Sequence, residues 1–233
     1  GKPLFNSAFL LSDGAIHSVH HKTLLPTYDI FDEYRYFEPS PTFTIASIEG
    51  KRVAITVCED IWDDQPITSG VPRNRLYTVS PMEQLSKLKP DLVINIAASP
   101  FSYDSHQRRL SVFQGNIKRF GLPVMYVNQV GANTDLIFDG GSMALNAKGE
   151  ISHKLKLFDE DFQIVDIDCL DALQPKADNR IELIHNALIL GICDYFTKMG
   201  FTKATLGLSG GIDSAVVLSL AQKALGSENI RVL

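Results

Sequence analysis

The run SPMEQLSKLKPDLVINIA, residues 80–97, joins a short helix to a buried strand. Ser80 is a favourable N-cap, Pro81 suits the first helical position, and Pro90 requires the helix to end before it. The segment DLVINIA is apolar on consecutive residues, which predicts a strand buried on both faces. A helix that leads directly into such a strand is typical of a parallel sheet covered by crossover helices.

The same alternation continues on both sides of this unit. RVAITVC (52–58) predicts a buried strand before it, and a helix over roughly 105–120 that stops at Gly121 leads into the strand PVMYVNQV after it. Hairpins are predicted at Asp13-Gly14 and at Lys148-Gly149, where apolar runs flank a turn dipeptide.

The predicted fold class is α/β, with two sheets between helical layers. FQIVDID (162–168) predicts one more strand. Strands this apolar need cover on both faces, and crossover helices alone cover only one face. The sequence therefore predicts a helix–sheet–sheet–helix sandwich with antiparallel hairpins at its edges.

A change of composition after residue 168 predicts a second unit. CLDALQPKADNR (169–180) is polar and contains a proline, which indicates a linker. Beyond it, apolar residues recur at helical spacing up to Gly200, followed by the strand KATLGLS and a helix over 212–225. The final IRVL resembles the next strand, so residues 181–233 predict the first βα unit of a parallel sheet.

Composition excludes several classes of protein. The net charge is −5 with both signs interspersed, which provides no basic surface for nucleic acid. No apolar run approaches the roughly 20 residues that cross a bilayer. The three cysteines form no CxxC pair, so neither a zinc site nor a disulfide framework is indicated, and separate thiols are typical of a reducing cytoplasm.

Cys58 is the first candidate for chemistry, because it stands at the end of a predicted buried strand where the chain turns. The neighbouring Glu59 and Asp60 would raise the thiol pKa, so a reactive Cys58 requires a nearby cation. Lys22, at the end of the first hairpin, is the best candidate for that cation. A buried structural cysteine is the alternative, and the spacing alone favours it.

Two strand ends rich in small polar groups are the second candidate. NIAASPF (95–101) and NQVG (128–131) both follow predicted strands, and could bind a polar ligand at the edge of the sheet. Ordinary turn chemistry explains them equally well.

GLSGGIDS (207–214) is the third candidate, a turn of small residues between a strand and a helix. It lacks the lysine of a Walker A loop and the spacing of GxGxxG. Free backbone amides and hydroxyls at a helix N-terminus can nevertheless surround an anion, and glycines let an oxyanion approach the backbone. Asp213 would repel phosphate unless it meets a metal ion or caps the turn.

In this order, the three sites resemble those of the glutamine-dependent NAD synthetase family. The family's lysine segment is similar to HKTLLPTYDIFDEYRYF, and its nucleophile segment is similar to VCEDIW. Its ATP loop is similar to GLSGGIDS, and the two halves of this chain are joined by LILGICDYFTKMGF. The resemblance implies a nitrilase-like glutaminase (carbon-nitrogen hydrolase) domain over 1–168. A linker over 169–180 and the beginning of a Rossmann-like ATP-pyrophosphatase domain over 181–233 would follow.

The resemblance also implies roles for individual residues. Cys58 would attack the amide of glutamine and release ammonia, with Lys22 stabilising the charge on the carbonyl oxygen. Tyr28, Glu59 and Ser99 would contact glutamine. ATP would bind at Gly207, Leu208, Ser209, Gly210, Gly211, Ile212, Asp213 and Ser214.

The implied reaction joins the two halves of the protein. ATP, accompanied by Mg²⁺, would adenylylate deamido-NAD, and ammonia passing through a tunnel would displace AMP to give NAD. The resemblance implies a homo-oligomeric cytoplasmic enzyme without a tightly bound prosthetic group.

Two features depart from the family pattern. Relatives often carry Lys or Arg six residues after the position of Ser99, where this chain has Ser105, with His106, Arg108 and Arg109 just beyond. The glutamate of the Glu-Lys-Cys triad belongs to a segment before the first hairpin. Glu33 and Glu38 lie near Lys22 in sequence but in a different context.

We therefore expect the chain to be a piece, cut at both ends, of a longer enzyme. Alone it should make no NAD, expose apolar strand edges and fold poorly. A nitrilase-type amidase and an inactive remnant that binds ligands or partners are the alternative functions.

Overall fold

A computed structural model describes residues 4–63, 77–174 and 178–233. Its centre is a six-stranded sheet in the order β10-β9-β6-β5-β4-β3. The strands are β3 (Ala46–Ile48), β4 (Lys51–Val57), β5 (Leu92–Ala97), β6 (Val124–Asn128), β9 (Met143–Leu145) and β10 (Ile151–Lys154). β4, β5 and β6 are parallel, as the sequence predicts, and the strands outside them pair antiparallel. β9 and β10 form the predicted hairpin at one edge, whereas the predicted hairpin at Asp13-Gly14 forms a separate two-stranded sheet.

Two helices cover one face of this sheet. In α2 (Pro81–Lys87), Ser80 Oγ accepts a hydrogen bond from the Glu83 amide at 3.2 Å, which confirms the predicted N-cap. α3 (Ser105–Phe120) ends where Gly121 adopts a left-handed conformation, with φ of 70°. Apolar side chains of both helices and of the strands form the main core.

The β1–β2 hairpin covers part of the other face. β1 (Ser7–Ser12) and β2 (Ala15–His21) pair antiparallel around Asp13 and Gly14, whose φ values of 51° and 75° suit a two-residue hairpin turn. Leu10 packs against a small core cluster on the sheet. Ile96 and Val127 on β5 and β6 stay about half exposed.

The prediction of a strand over residues 162–168 is wrong. The segment is irregular, and Phe162 and Ile164 are 83% and 87% exposed. A strand needs a neighbour that accepts and donates its ladder hydrogen bonds, and within the described ranges no strand pairs with this segment. Apolar alternation alone cannot supply that neighbour.

Several elements, β3 among them, were not predicted. α1 (Glu33–Tyr36) is a single helical turn after Lys22. β7 (Val130–Asn133) and β8 (Leu136–Asp139) form a short antiparallel hairpin next to β6.

The C-terminal part has the predicted order. α4 (Arg180–Met199) is capped by Asn179 and ends at the left-handed Gly200, and α5 (Ile212–Leu225) follows β11 (Ala204–Leu206). β12 (Ile230–Val232) pairs parallel with β11, which confirms the beginning of a parallel sheet. The domain boundaries at residues 168 and 181 stay predictions.

Candidate active site

Cys58 stands at the turn that ends β4. It has a φ of 46°, and it begins a one-turn 3-10 helix that runs from Cys58 to Ile61. A non-glycine residue held in the left-handed region is strained, and such strain clusters at sites where a nucleophile projects from a sharp turn. Asn95, fully buried on the adjacent strand, donates from Nδ2 to the Cys58 carbonyl oxygen at 3.2 Å and supports the turn.

Lys22 lies close enough to Cys58 to act on its charge. The lysine is only 1% exposed, and its Nζ donates to Glu33 Oε1 at 2.6 Å. Burial raises the pKa of Cys58 to about 11, while the Lys22 ammonium opposes that rise by favouring the thiolate. The charge of Glu59 adds to the rise, as predicted from its place in the sequence.

Glu59 is the centre of a small aromatic cluster. Its Oε1 accepts from the hydroxyls of Tyr28 at 2.7 Å and Tyr77 at 2.9 Å. Burial raises the pKa of the Glu59 carboxyl, and the two tyrosine hydroxyls pull it back down. Tyr77 had no signal in the sequence, because only the fold brings it to Glu59.

Ser99 is fixed by a buried polar network. Its amide donates to Asn128 Oδ1 at 2.9 Å, and its Oγ accepts from Arg109 Nε at 3.1 Å. Arg109 also pairs with Asp139 at 2.8 Å, and both side chains are 1% exposed. The two predicted strand ends therefore meet here, at Ser99 and Asn128.

A cavity of about 210 Å³ lies beside Cys58. Its polar lining residues include Tyr28, Glu59, Ser99 and Arg108. Arg108 is half exposed, and Asp104 pairs with it at 3.0 Å. Ser105, six residues after Ser99, is buried and donates to the Ser102 carbonyl. This volume is below the range of drug-sized ligand pockets and suits a small polar molecule.

The structure thus brings Cys58, Lys22, Tyr28, Glu59 and Ser99 to one place. Two further residues join them through ion pairs, Glu33 with Lys22 and Asp139 with Arg109. Glu33 carried a weak signal, an acidic residue close to Lys22 in the chain. Asp139, at the end of β8, carried no signal in the sequence.

The Gly207–Ser214 segment forms a separate exposed turn that opens α5. Gly210 has a φ of 82°, which glycine adopts without strain. Ser214 Oγ donates to the Gly211 carbonyl at 3.0 Å and lies 3.2 Å from Ser209 Oγ. The first amides of α5 have no partner within the helix, and so this turn can accept an anion.

The described residues carry neither a metal-ligand cluster nor a membrane-spanning helix. No cluster of three or more metal-ligating side chains occurs among the residues that the structure describes. Within the same residues, no helix combines the length and apolarity that a bilayer crossing requires. Cys58, Cys169 and Cys193 are all free thiols.

Two protein families match successive parts of the chain. The carbon-nitrogen hydrolase family matches residues 1–174, and the NAD synthase family matches residues 184–233. A glutamine-dependent NAD(+) synthetase from Synechocystis sp. is 43% identical over 98% of this chain. The chain spans about two fifths of that relative's length, 41%.

Solved structures of related proteins share the fold of this chain. The structure of a glutamine-dependent NAD+ synthetase from Acinetobacter baumannii, in complex with adenosine diphosphate, is 34% identical with a TM-score of 0.86. That match covers 98% of this chain and 41% of the solved one. A carbon-nitrogen hydrolase from Helicobacter pylori, 24% identical with a TM-score of 0.53 over 65% of this chain and 52% of its own, shares the fold.

The fold is therefore a nitrilase-like domain followed by the start of a NAD synthase domain, as predicted. The geometry around Cys58 and the match over residues 1–174 lead to one conclusion. The chain belongs to the carbon-nitrogen hydrolase family.

Proposed function

We propose that the chain is part of a glutamine-hydrolysing NAD synthetase. Such an enzyme takes ammonia from glutamine and transfers it to adenylylated deamido-NAD, giving NAD, AMP and pyrophosphate. The observation that carries this proposal is the placement of Cys58, on a strained strand-end turn, within the field of the buried Lys22 ammonium and beside a small polar cavity. The similarity over 98% of the chain supports it.

The first half-reaction takes place at Cys58. Its sulfur bonds to the side-chain amide carbon of glutamine, the thiol proton passes to the leaving nitrogen, and the C–N bond breaks to release ammonia. Water then cleaves the thioester to glutamate and restores the thiol. Lys22, held by Glu33 at 2.6 Å, stabilises the negative charge that develops on the carbonyl oxygen in each step.

The cavity supplies groups for the rest of glutamine. Tyr28, Glu59 and Ser99 line it and offer hydrogen bonds to the amide and the α-ammonium group. The guanidinium of Arg109 already donates its hydrogen bonds to Asp139, Ser99 and Pro100, and so it cannot bind the α-carboxylate of glutamine. Arg108 is an exposed guanidinium on the same wall, and we assign the α-carboxylate to it.

The second half-reaction uses the turn that opens α5. The ATP phosphates would be held at the N-terminus of this helix. The residues that would hold them are Gly207, Leu208, Ser209, Gly210, Gly211, Ile212, Asp213 and Ser214. Mg²⁺ bound with nucleotides needs only one or two protein carboxylates besides the phosphates, and Asp213 in the first turn of α5 fits that requirement. The metal would neutralise phosphate charge.

The remaining features of the proposal follow from the family. Ammonia would pass from the Cys58 cavity to the ATP site through a tunnel between the two domains, and the full-length enzyme would be a homo-oligomer. A cytoplasmic location is supported by the three free thiols, because a reducing compartment keeps cysteines unpaired.

An electrophilic glutamine analogue, such as a diazoketone, tests the first half-reaction. It should label Cys58 much faster than Cys169 or Cys193 in the same sample, and excess glutamine should block the labelling. Lys22→Gln should slow it at least tenfold, while Lys51→Gln, a lysine paired with Asp168 at the surface, should not. Equal labelling of all three cysteines would contradict the proposal.

A further inference from the structure

The Asp60 carboxylate connects two segments that are distant in sequence. The side chain is buried, with the residue 4% exposed. Its Oδ1 accepts from the backbone amides of Thr23 and Leu24, both at 2.9 Å. Its Oδ2 accepts from the amide of Val57 at 3.0 Å.

The two segments are those that carry the reacting groups. Thr23 and Leu24 directly follow Lys22, and Val57 directly precedes Cys58. The main chain of Lys22 itself is hydrogen-bonded elsewhere, to Asn6 and Ser40. One carboxylate thus fixes the lysine's segment against the strand end that presents the sulfur.

We infer that Asp60 is a positioning residue that sets the place of the Lys22 ammonium relative to the Cys58 sulfur. This inference rests on the proposed function, in which Cys58 is the nucleophile and Lys22 its cation. Asp60 acts through the backbone on either side and does not touch substrate.

The chemistry of the site explains why an aspartate stands here. Three converging N–H groups need an acceptor with several lone pairs, and a short carboxylate offers two oxygens in one plane. Burial raises the pKa of Asp60 to about 6, and hydrogen bonds from Leu24, Val57 and Thr23 favour the charged form against that rise. A group that served packing alone would avoid this desolvation cost.

The position of a cation matters strongly at such a site. The energy of a charge pair varies inversely with distance and is large where water is excluded. A displacement of about 1 Å at a reacting centre can cost on the order of a hundredfold in rate. Lys22 therefore lowers the Cys58 pKa effectively only while its segment stays fixed.

Asp60→Glu tests the inference, because it keeps the charge and moves the acceptor oxygens. The readout is the rate of Cys58 alkylation by iodoacetamide across pH, followed by mass spectrometry of the Cys58 peptide. This reaction needs no glutamine. We expect Asp60→Glu to slow Cys58 alkylation at pH 8 at least threefold, and to have almost no further effect once Lys22→Gln is present.

Asp63→Glu is the matched control, since Asp63 is buried three residues further on and pairs with Arg119 rather than with the lysine segment. It should leave the rate within twofold. If Asp60→Glu does not fold, Asp60→Asn replaces it and is measured both in the native chain and together with Lys22→Gln. An effect that came only from the lost Asp60 charge would remain when Lys22→Gln is present.

Three results would overturn the inference. Unchanged alkylation in both Asp60 variants, or an equal slowing with and without Lys22, would show that Asp60 does not act through the lysine. If Lys22→Gln alone leaves Cys58 unaffected, the proposed lysine–cysteine pairing fails, and this inference fails with it. A negative result with the Asp60 variants leaves the proposed function intact. The failure of this inference can therefore be distinguished from the failure of the proposed function.

Discussion

Arg108 and Arg109 are neighbours with different roles. Arg109 is buried, and its guanidinium is committed to Asp139, Ser99 and Pro100, so it supports the cavity wall. Arg108 is exposed at the cavity, and its guanidinium donates to Asp104 at 3.0 Å. Adjacent residues of one helix point in different directions, and only the fold shows which of the two is buried.

Replacing Arg108 should weaken glutamine binding more than it affects chemistry. A charge-assisted hydrogen bond contributes about 1.5–3 kcal/mol, and so Arg108→Met should raise KM for glutamine about tenfold to a hundredfold. We expect kcat to change less than threefold, as measured by ammonia release. Arg35→Met, at an exposed position on α1, is the control. An equal loss with a simple aliphatic amide that lacks an α-carboxylate would contradict the assignment.

Cys58 should make stability depend on alkaline pH. Burial raises its pKa from an ordinary 9.0 to about 11, so between these values the unfolded chain loses the proton first, and stability falls as pH rises. The linkage amounts to at most roughly 3 kcal/mol. Urea unfolding from pH 8 to 11 should therefore show a shallower decline for Cys58→Ala than for the native chain. Cys169→Ala, at an exposed thiol, should decline like the native chain.

At the scale of the elements, the β7–β8 hairpin connects the Cys58 cavity wall to α4. Phe101 donates its amide to the Ile137 carbonyl on β8 at 2.7 Å, and so the hairpin meets the loop after Ser99. On the other side, Asp194 of α4 accepts from the Ala132 amide at 2.6 Å, and Lys198 donates to the Ala132 carbonyl. The hairpin is thus bonded to both parts of the chain.

Removing the Asp194 carboxylate should loosen this contact. Asp194→Ala leaves the Ala132 amide without its charged acceptor, a loss of about 1–3 kcal/mol. Hydrogen exchange of the Ala132 amide should accelerate by about tenfold or more, whereas exchange within β5 should not change. Glu182→Ala, in the exposed first turn of α4, is the matched control. Unchanged exchange at Ala132 would show that the contact does not hold the hairpin.

The elements that the sequence predicted are those with local signals. Ser80, Gly121 and Gly200 begin or end helices through chemistry that their own neighbours determine, and all three were identified. The segment 162–168 failed because pairing depends on another strand. Cys58 and Lys22 could be paired only through a charge argument and a family resemblance, since 36 positions separate them in the sequence. The Asp60 bonds had no local signal at all.

At the scale of the whole molecule, apolar side chains are exposed on one face of the six-stranded sheet and in the irregular segment after it. Ile96 and Val127 are about half exposed on the sheet face opposite α2 and α3, and Phe162 and Ile164 are almost fully exposed. Isolated apolar side chains on a surface are ordinary, but a contiguous group promotes association. The six-stranded sheet is therefore well packed on its helical face and only partly covered on the other.

Ile164→Ser should reduce self-association without affecting folding. The side chain is 87% exposed, so its replacement should change the free energy of unfolding by less than about 0.5 kcal/mol. Sedimentation velocity at increasing protein concentration should show weaker association than for the native chain, because apolar surface has been removed. Leu145→Ser, at a fully buried position on β9, should instead cost several kcal/mol in urea unfolding. A cost above about 1 kcal/mol for Ile164→Ser would mean that the segment packs against the fold in solution.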